Sequence, residues 1–263
     1  MARTRGTWNT KGTWLAGVAL VAVLALTAYA LLSGGDDEPD TPAKGGASAS
    51  ASPSPSATYA PPDDWTEPER WSALPRGERT DERGSQVGFP HTTEGAVAMA
   101  AAANTTVVEG STSNVDEQLR LYYGYIGQAD QSAAAAERVE LSAGESDKTI
   151  ARSMGVKPGQ PLPSGAYVRS SVVGYKVVKK STDEVGVWLL SRVVQKAGET
   201  VKEEGSYSRT LVGALWQGGD WKLSVSATRR AQDAAQGQSE PQMVAPGDAG
   251  FNAAGWTAIR AAS

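Results

Sequence analysis

The only histidine of the chain is His91, and Glu94 follows it at a spacing that places two potential metal ligands on one helix face. A zinc site needs further ligands of this kind, and the 263 residues include no cysteine. We therefore interpret His91 and Thr92 as the turn and cap that open a helix, and we predict no metal site and no cofactor. The same lack of cysteine excludes disulfides and thiolate catalysis within this sequence.

Three tryptophans in the second half of the chain, Trp188, Trp216 and Trp221, are candidates for an aromatic wall that binds a ligand or for a hydrophobic core. Trp216 and Trp221 stand on either side of Gly218-Gly219, which predicts an aromatic pair across a hairpin. Such a pair stabilises a sheet by about 0.5–1 kcal/mol. Because the two glycines join strand to strand, no helix N-terminus is available there to hold a phosphate. The spacing favours a core or hairpin role.

Two groups of residues are candidates for an interaction surface. The basic group consists of Lys176, Lys179 and Lys180. It is either the solvated face of a strand or a docking surface. The apolar group consists of Phe251, Trp256 and Ile259, and it lies in an otherwise polar segment, residues 229–263, which we predict to be a flexible tail. These residues either fold back on the domain or bind a partner, and the sequence leaves both alternatives open.

The first half of the domain predicts helices. Thr92-Thr93-Glu94 has the composition of an N-cap and an acidic first turn. Asn114-Val115-Asp116-Glu117 matches a capping box. The predicted helices run from Gly95 to Asn104, from Asn114 through Ile126, from Gln131 to Glu140, and as a short turn from Asp147 to Met154 that Gly155 stops.

The second half predicts strands, because Val, Tyr, Trp and Ser/Thr dominate it and turn residues divide it. The predicted strands are Tyr167–Lys180, Glu184–Lys196, Ser206–Gln217 and Trp221–Ser226. Helices followed by consecutive strands indicate an α+β domain, here residues 65–228, with its N-terminal helices packed on one face of an antiparallel sheet.

Residues 14–32 predict a single transmembrane helix. These 19 residues carry no charge, and at 1.5 Å per residue they span about 28 Å, the thickness of the bilayer hydrocarbon. The preceding residues 1–13 are basic and residues 36–40 are acidic, which predicts a cytoplasmic N-terminus and an extracytoplasmic domain. A cleaved signal peptide is the alternative, because Ala28-Tyr29-Ala30 fits a cleavage site.

Residues 33–64 predict a disordered linker of Ala, Ser, Pro, Gly and Asp. A flexible coil of this length reaches about 30 Å on average and about 100 Å when extended. The segment is therefore expected to tether the domain to the membrane.

Three segments carry a resemblance to a known family. They are Gly88-Phe89-Pro90-His91-Thr92-Thr93-Glu94-Gly95-Ala96, Val173-Gly174-Tyr175-Lys176-Val177, and Leu215-Trp216-Gln217-Gly218-Gly219-Asp220-Trp221-Lys222-Leu223. Together they resemble a family of actinobacterial membrane proteins found with integrative and conjugative elements. The order of elements and the last hairpin are also similar to the NTF2-like cone fold, and this resemblance implies that the antiparallel sheet is bent. That fold includes scaffold domains of the conjugative type IV secretion channel.

The resemblance also raises the question of an enzyme, because NTF2-like enzymes place acid–base groups inside the cone. The tyrosines that could point inward are Tyr122, Tyr123, Tyr125, Tyr167, Tyr175 and Tyr207. No aspartate lies within the predicted strands 167–180 and 206–217, and no nucleophile elbow is recognisable. We interpret the tyrosines as core or interface residues and predict no catalytic residue and no enzyme.

Charge is segregated along the chain. Residues 65–150 carry 14 acidic and 7 basic residues, whereas residues 169–230 carry 6 acidic and 11 basic residues. The overall balance does not favour nucleic-acid binding, and the asymmetry can guide self-association or the choice of a partner. The function we predict is a membrane-anchored scaffold that contacts the bilayer, other envelope or channel proteins, and further copies of itself. The alternatives are an NTF2-like carrier or enzyme and a protein that interacts with the cell wall.

Overall fold

The computed structural model describes residues 65–260. The predicted cytoplasmic segment 1–13, transmembrane helix 14–32 and linker 33–64 lie outside these residues and stay predictions. Within the described part of the chain, no helix has the length and hydropathy needed to cross a membrane.

Three helices precede the long strands, close to where their caps predict them. Helix α1 (Thr93–Ala102) begins after Thr92, whose side chain accepts a hydrogen bond from the Gly95 amide at 3.0 Å. Helix α2 (Asn114–Tyr125) is capped by Ser113, one residue before the predicted Asn114, because Ser113 and Asp116 complete the reciprocal capping box.

Helix α3 (Ala133–Ser153) is a single helix of 21 residues, so the prediction of a separate turn at Asp147 is wrong. The reason is that Ala143, Ser146 and Ile150 continue one buried stripe past the point where the composition changes. The helix stops at Gly155, as predicted, and this glycine has a left-handed φ of 71°.

Nine strands are described. They are β1 (Trp71–Ala73), β2 (Arg79–Thr80), β3 (Gln86–Val87), β4 (Thr106–Glu109), β5 (Ala166–Lys180), β6 (Glu184–Ala197), β7 (Glu204–Gln217), β8 (Asp220–Leu223) and β9 (Thr257–Arg260). Strands β5 to β8 confirm the four predicted strands. The last of them ends at Leu223 instead of Ser226, because Val225 begins a helix, α4 (Val225–Ala235).

The main sheet has the order β1-β9-β5-β6-β7-β8, and β4 pairs with the first part of β5. It is mixed and not purely antiparallel as predicted, because β1 and β9 run parallel. Strand β5 shows register shifts at Val172/Gly174 and Val177/Lys179 where it pairs with β6. Irregularities of this kind bend a long strand. The α+β class is therefore confirmed, with a bent mixed sheet.

The first face of the sheet packs against α1, α2 and α3. The cluster includes Leu189 and Trp221 from the strands, Met99 from α1, and Leu121 and Tyr125 from α2. All five are at most 2% exposed, so the layer between the helices and this face is filled. Close packing of this kind is typical of a hydrophobic core.

The second face of the sheet is also covered, which corrects the prediction of helices on one face only. Helix α4 lies so close to β6 and β7 that glycines occupy the contact points. A Cβ on Gly186 would lie 2.6 Å from the Cβ of Ala231, and one on Gly213 would lie 2.3 Å from the amide nitrogen of Thr228. Both glycines therefore permit the approach of the helix.

The C-terminal segment continues the domain, so the predicted boundary at residue 228 and the flexible tail are wrong. Helix α5 (Ala249–Ala253) places Phe251 in a cluster with Leu190 and Trp256, and all three are buried. Strand β9 then lies between β1 and β5. The burial of these few large side chains supplies the free energy that orders an otherwise polar segment.

Candidate interaction surface

The predicted basic group does not act as one patch. The Nζ atom of Lys176 donates to the carbonyl of Ala254 at 3.2 Å, while that of Lys179 pairs with the carboxylate of Glu184 at 3.0 Å. Lys180 is exposed at the end of β5. The three side chains therefore have different surroundings, and one of the charges is neutralised.

The predicted apolar group is an internal contact and not a free binding segment. Phe251 and Trp256 are at most 1% exposed, and the indole Nε1 of Trp256 donates to the carbonyl of Gln242 at 2.8 Å. Ile259 is half-buried within β9, where it pairs with Ser72. Of the two alternatives for this group, the structure shows the one in which it folds back on the domain.

The predicted pairing of Trp216 and Trp221 across the last hairpin is confirmed. The two residues are register partners in β7 and β8, and their ring centroids lie 5.5 Å apart in an edge-to-face arrangement. Trp221 is fully buried and its Nε1 donates to the carbonyl of Pro90 at 2.9 Å. The third candidate, Trp188, packs against the cluster of Phe251 on the opposite face.

His91 contacts strand β7 and the turn between β5 and β6 at one end of the sheet. Its ring stacks on that of Trp216 with centroids 4.0 Å apart, and its Nε2 lies 2.8 Å from Oδ1 of Asp183. The neighbouring Thr92 is the cap of α1, as predicted. The ties to Trp216 and Asp183 were not predicted, because they join residues from distant parts of the sequence.

The tyrosines divide between core and surface. Tyr122 and Tyr125 are buried in the core, whereas Tyr123 is 42% exposed. Burial raises the pKa of the Tyr125 hydroxyl, with the guanidinium of Arg120 opposing the shift. Tyr175 packs against the core cluster, and Tyr167 and Tyr207 lie on the second face of the sheet.

The second face is left exposed at the end of the sheet remote from α4. Strand register places its residues in neighbouring rows, since partners in adjacent strands share a face. Glu109 is opposite Tyr167, Val107 is opposite Arg169, and Arg169 is opposite Val194. We call this surface the open face, and it consists of Val107, Glu109, Tyr167, Arg169, Arg192 and Val194, together with Glu203 of the loop before β7.

A chain of polar contacts crosses the open face. The Nη2 atom of Arg169 donates to Glu109 at 2.5 Å, and its guanidinium lies 4.2 Å from the centre of the Tyr167 ring. The Tyr167 hydroxyl donates to Oε2 of Glu203 at 2.5 Å, and Nη2 of Arg192 donates to Oε1 of the same carboxylate at 3.1 Å. The side chains are thereby held in defined positions although solvent reaches them.

Two groups of the open face, Tyr167 and Arg169, have raised pKa values. The hydrogen bond to Glu203 raises the pKa of the Tyr167 hydroxyl, so this group stays protonated and continues to donate. The hydrogen bond to Glu109 raises the pKa of Arg169. Arginine and tyrosine on a prepared surface are typical of protein interfaces, because both offer large contact area and directional hydrogen bonds.

Sequence reasoning missed the open face. The local signal is limited to the apolar Val168 between Tyr167 and Arg169, and it does not say whether another layer covers the face that carries Tyr167 and Arg169. Only the register of β4, β5 and β6 brings Glu109, Arg169 and Val194 side by side.

Comparison with protein-family models, with curated proteins and with solved structures gave no match. The class of the protein is therefore defined by its own fold and surface. It is an α+β protein with a bent mixed sheet, three helices on one face, and a second face that is only partly covered.

Proposed function

We propose that this chain is a membrane-anchored extracytoplasmic scaffold. In this proposal residues 14–32 anchor the chain in the bilayer, and the folded domain contributes the open face to an assembly. The observation that carries the proposal is the open face itself. Its polar side chains are preordered by contacts such as those between Arg169 and Glu109, and valines stand among them. An interface built in this way loses little side-chain entropy on association.

The packing of the domain supports a scaffold over an NTF2-like carrier or enzyme. A carrier needs an empty cavity between the helices and the sheet. Here Leu189, Trp221 and Tyr125 fill that layer.

We further propose that the domain is of the NTF2-like type. The order of α1, α2 and α3 before the long strands β5 to β7 supports this assignment, as does the bend of β5. The sequence resemblance described above then suggests a conjugative DNA-transfer apparatus as the assembly. On this proposal the partners are envelope or channel proteins and further copies of the chain.

Photo-crosslinking in intact cells tests the proposal. A photoreactive amino acid at Val194 reports on the open face, and the matched control is the same group at Leu141, which is 65% exposed on α3. Specific adducts from position 194 that are absent from position 141 support the scaffold. Equal labelling at both positions contradicts an interface at the open face.

Two charge-reversal variants test whether the open face is needed for transfer of the conjugative element. Arg169→Glu and Lys148→Glu each reverse one exposed cation that is paired with a glutamate, but only the first lies on the open face. We expect the first variant to lower the transfer frequency of the element and the second to leave it unchanged. Normal transfer after deletion of the gene would contradict a role in conjugation.

A further inference from the structure

Two cationic side chains converge on Gly255, the residue that links α5 to β9. The Nζ atom of Lys176 donates to the carbonyl of Ala254 at 3.2 Å, and Nη2 of Arg70 is 3.4 Å from the carbonyl oxygen of Trp256. A Cβ on Gly255 would lie 3.4 Å from Nζ of Lys176 and 3.6 Å from Nη2 of Arg70. The two positive groups therefore stand around a residue that has no side chain.

The framework that holds these cations is well anchored. Trp256, the next residue after Gly255, is 1% exposed. The amide of Ala258 donates to the carbonyl of Arg70 at 2.9 Å, which joins β9 to the segment that carries this arginine. Gly255 has a φ of 79°, a left-handed conformation that glycine adopts without strain. The backbone around the two side chains is thus fixed by interactions that do not involve their charges.

Both cations have hydrogen-bond donors that the described residues do not use. A lysine ammonium has three N–H groups and an arginine guanidinium has five, and each side chain forms one hydrogen bond within residues 65–260. Within residues 65–260, neither Arg70 nor Lys176 forms an ion pair with a carboxylate, in contrast to Lys179 on the same strand as Lys176. The carbonyls of Ala254 and Trp256 account for one donor of each side chain. This arrangement leaves two adjacent positive charges that repel each other, and a bound anion would relieve this repulsion.

We propose that Arg70 and Lys176 form a binding site for an oxyanion of the phosphate class, over Gly255. The planar guanidinium offers two parallel donors to two oxygens of a phosphate, and the ammonium acts as a compact charge on a third. The absent side chain of Gly255 leaves room between the two groups.

This chemistry has two sources, inorganic phosphate in solution and the headgroup of an anionic phospholipid. Only the binding of a phospholipid headgroup depends on the proposed membrane tether. The phosphate site itself does not depend on where the protein is located, so it can fail or succeed independently of the scaffold.

The test is the thermal unfolding of the full chain in micelles of a neutral detergent, followed by tryptophan fluorescence. A ligand that binds the folded state raises the unfolding midpoint in a saturable way. One series adds inorganic phosphate, with potassium chloride balancing the ionic strength. The other adds phosphatidylglycerol to the micelles, with phosphatidylcholine as the zwitterionic reference.

Arg70→Gln and Lys176→Gln each remove one cation, and Lys180→Gln is the matched control, since it removes a positive charge from the exposed end of the same strand β5. We expect each of the first two to weaken the apparent affinity about tenfold or more, because a hydrogen bond between charged groups is lost. Lys176→Arg, which keeps the charge, retains most of the shift. Because Arg70 is exposed, its replacement leaves the core intact even if Lys176→Gln fails to fold.

A saturable shift with phosphate alone identifies a site for the free ion, and a shift with phosphatidylglycerol identifies a headgroup site. An equal loss in Lys180→Gln and Lys176→Gln would overturn the proposal, since it would show general screening. The proposal also fails if neither phosphate nor phosphatidylglycerol raises the midpoint above its chloride or phosphatidylcholine reference.

Discussion

The amide of Gly213 in β7 donates to the hydroxyl of Thr228 in α4 at 2.9 Å, and this bond marks the closest approach of the helix to the sheet. The approach is possible because Gly213 has no side chain. A Cβ there would lie 2.2 Å from the carbonyl carbon of Ala227. The packing of α4 on the second sheet face thus requires a glycine at position 213.

We expect Gly213→Ala to destabilise the domain by about 2–4 kcal/mol, because the added methyl group meets backbone that cannot move without displacing α4. Gly205→Ala is the matched control in the same strand. Its Cβ would lie 3.5 Å from Val194, an ordinary contact, so we expect a change of less than about 0.5 kcal/mol. Chemical unfolding of the full chain in neutral detergent measures both variants, and equal effects would contradict the close approach of α4.

The burial of Trp256 predicts that the C-terminal segment contributes to global stability. Trp256→Ala should cost about 3–5 kcal/mol in the free energy of unfolding, through lost burial and the cavity that remains. Leu141→Ala, which truncates an exposed side chain on α3, serves as the control and should change stability by less than about 0.5 kcal/mol. If the Trp256→Ala variant is as stable as the native chain, the result contradicts this prediction and supports a flexible C-terminal tail.

The carboxyl of Glu184 is expected to make the stability of the folded domain depend on pH. Burial acts to raise the pKa of its carboxyl, but hydrogen bonds from Arg230 and Lys179 outweigh that effect and lower the pKa below its ordinary value. A carboxyl with a lowered pKa in the folded state stabilises the protein above its unfolded pKa of about 4.5, and this contribution is lost as the pH falls through the folded pKa.

We therefore expect Glu184→Gln to be less stable than the native chain by about 1–3 kcal/mol at pH 7, with the difference shrinking as the pH falls below about 4.5 and through the lowered pKa of the folded state. Glu145→Gln is the control, because Glu145 pairs with Lys148 on an exposed helix surface. Such a pair contributes at most about 1 kcal/mol. Unfolding midpoints between pH 3 and 7 test this difference, and a pH-independent deficit in Glu184→Gln would count against it.

The N-terminal segment predicts retention in the membrane. We expect the full chain to stay with the membrane fraction after carbonate extraction, and a C-terminal tag to be accessible to external protease in spheroplasts. Deletion of residues 14–32 should release the domain to the soluble fraction. The mass of the mature chain separates an anchor from a signal cleaved after Ala30, and a tag protected inside intact spheroplasts would contradict the predicted orientation.

The sequence alone determined the elements whose signals are local. The cap at Thr92, the stop at Gly155 and the pairing of Trp216 with Trp221 depend on residues within a few positions of one another, so composition and spacing were sufficient to predict them. The alternation and residue types of β5, β6 and β7 likewise predicted their bounds within two residues.

Only the tertiary structure decided which surfaces are covered. Helix α4 packs on the second face because Gly186 and Gly213 leave room for it, and Phe251 and Trp256 are buried against Leu190. The open face and the cations around Gly255 arise in the same way, from strand register and from contacts between residues that are 60 to 186 positions apart. Burial and long-range pairing depend on the whole folded chain, so a local pattern carries no information about them.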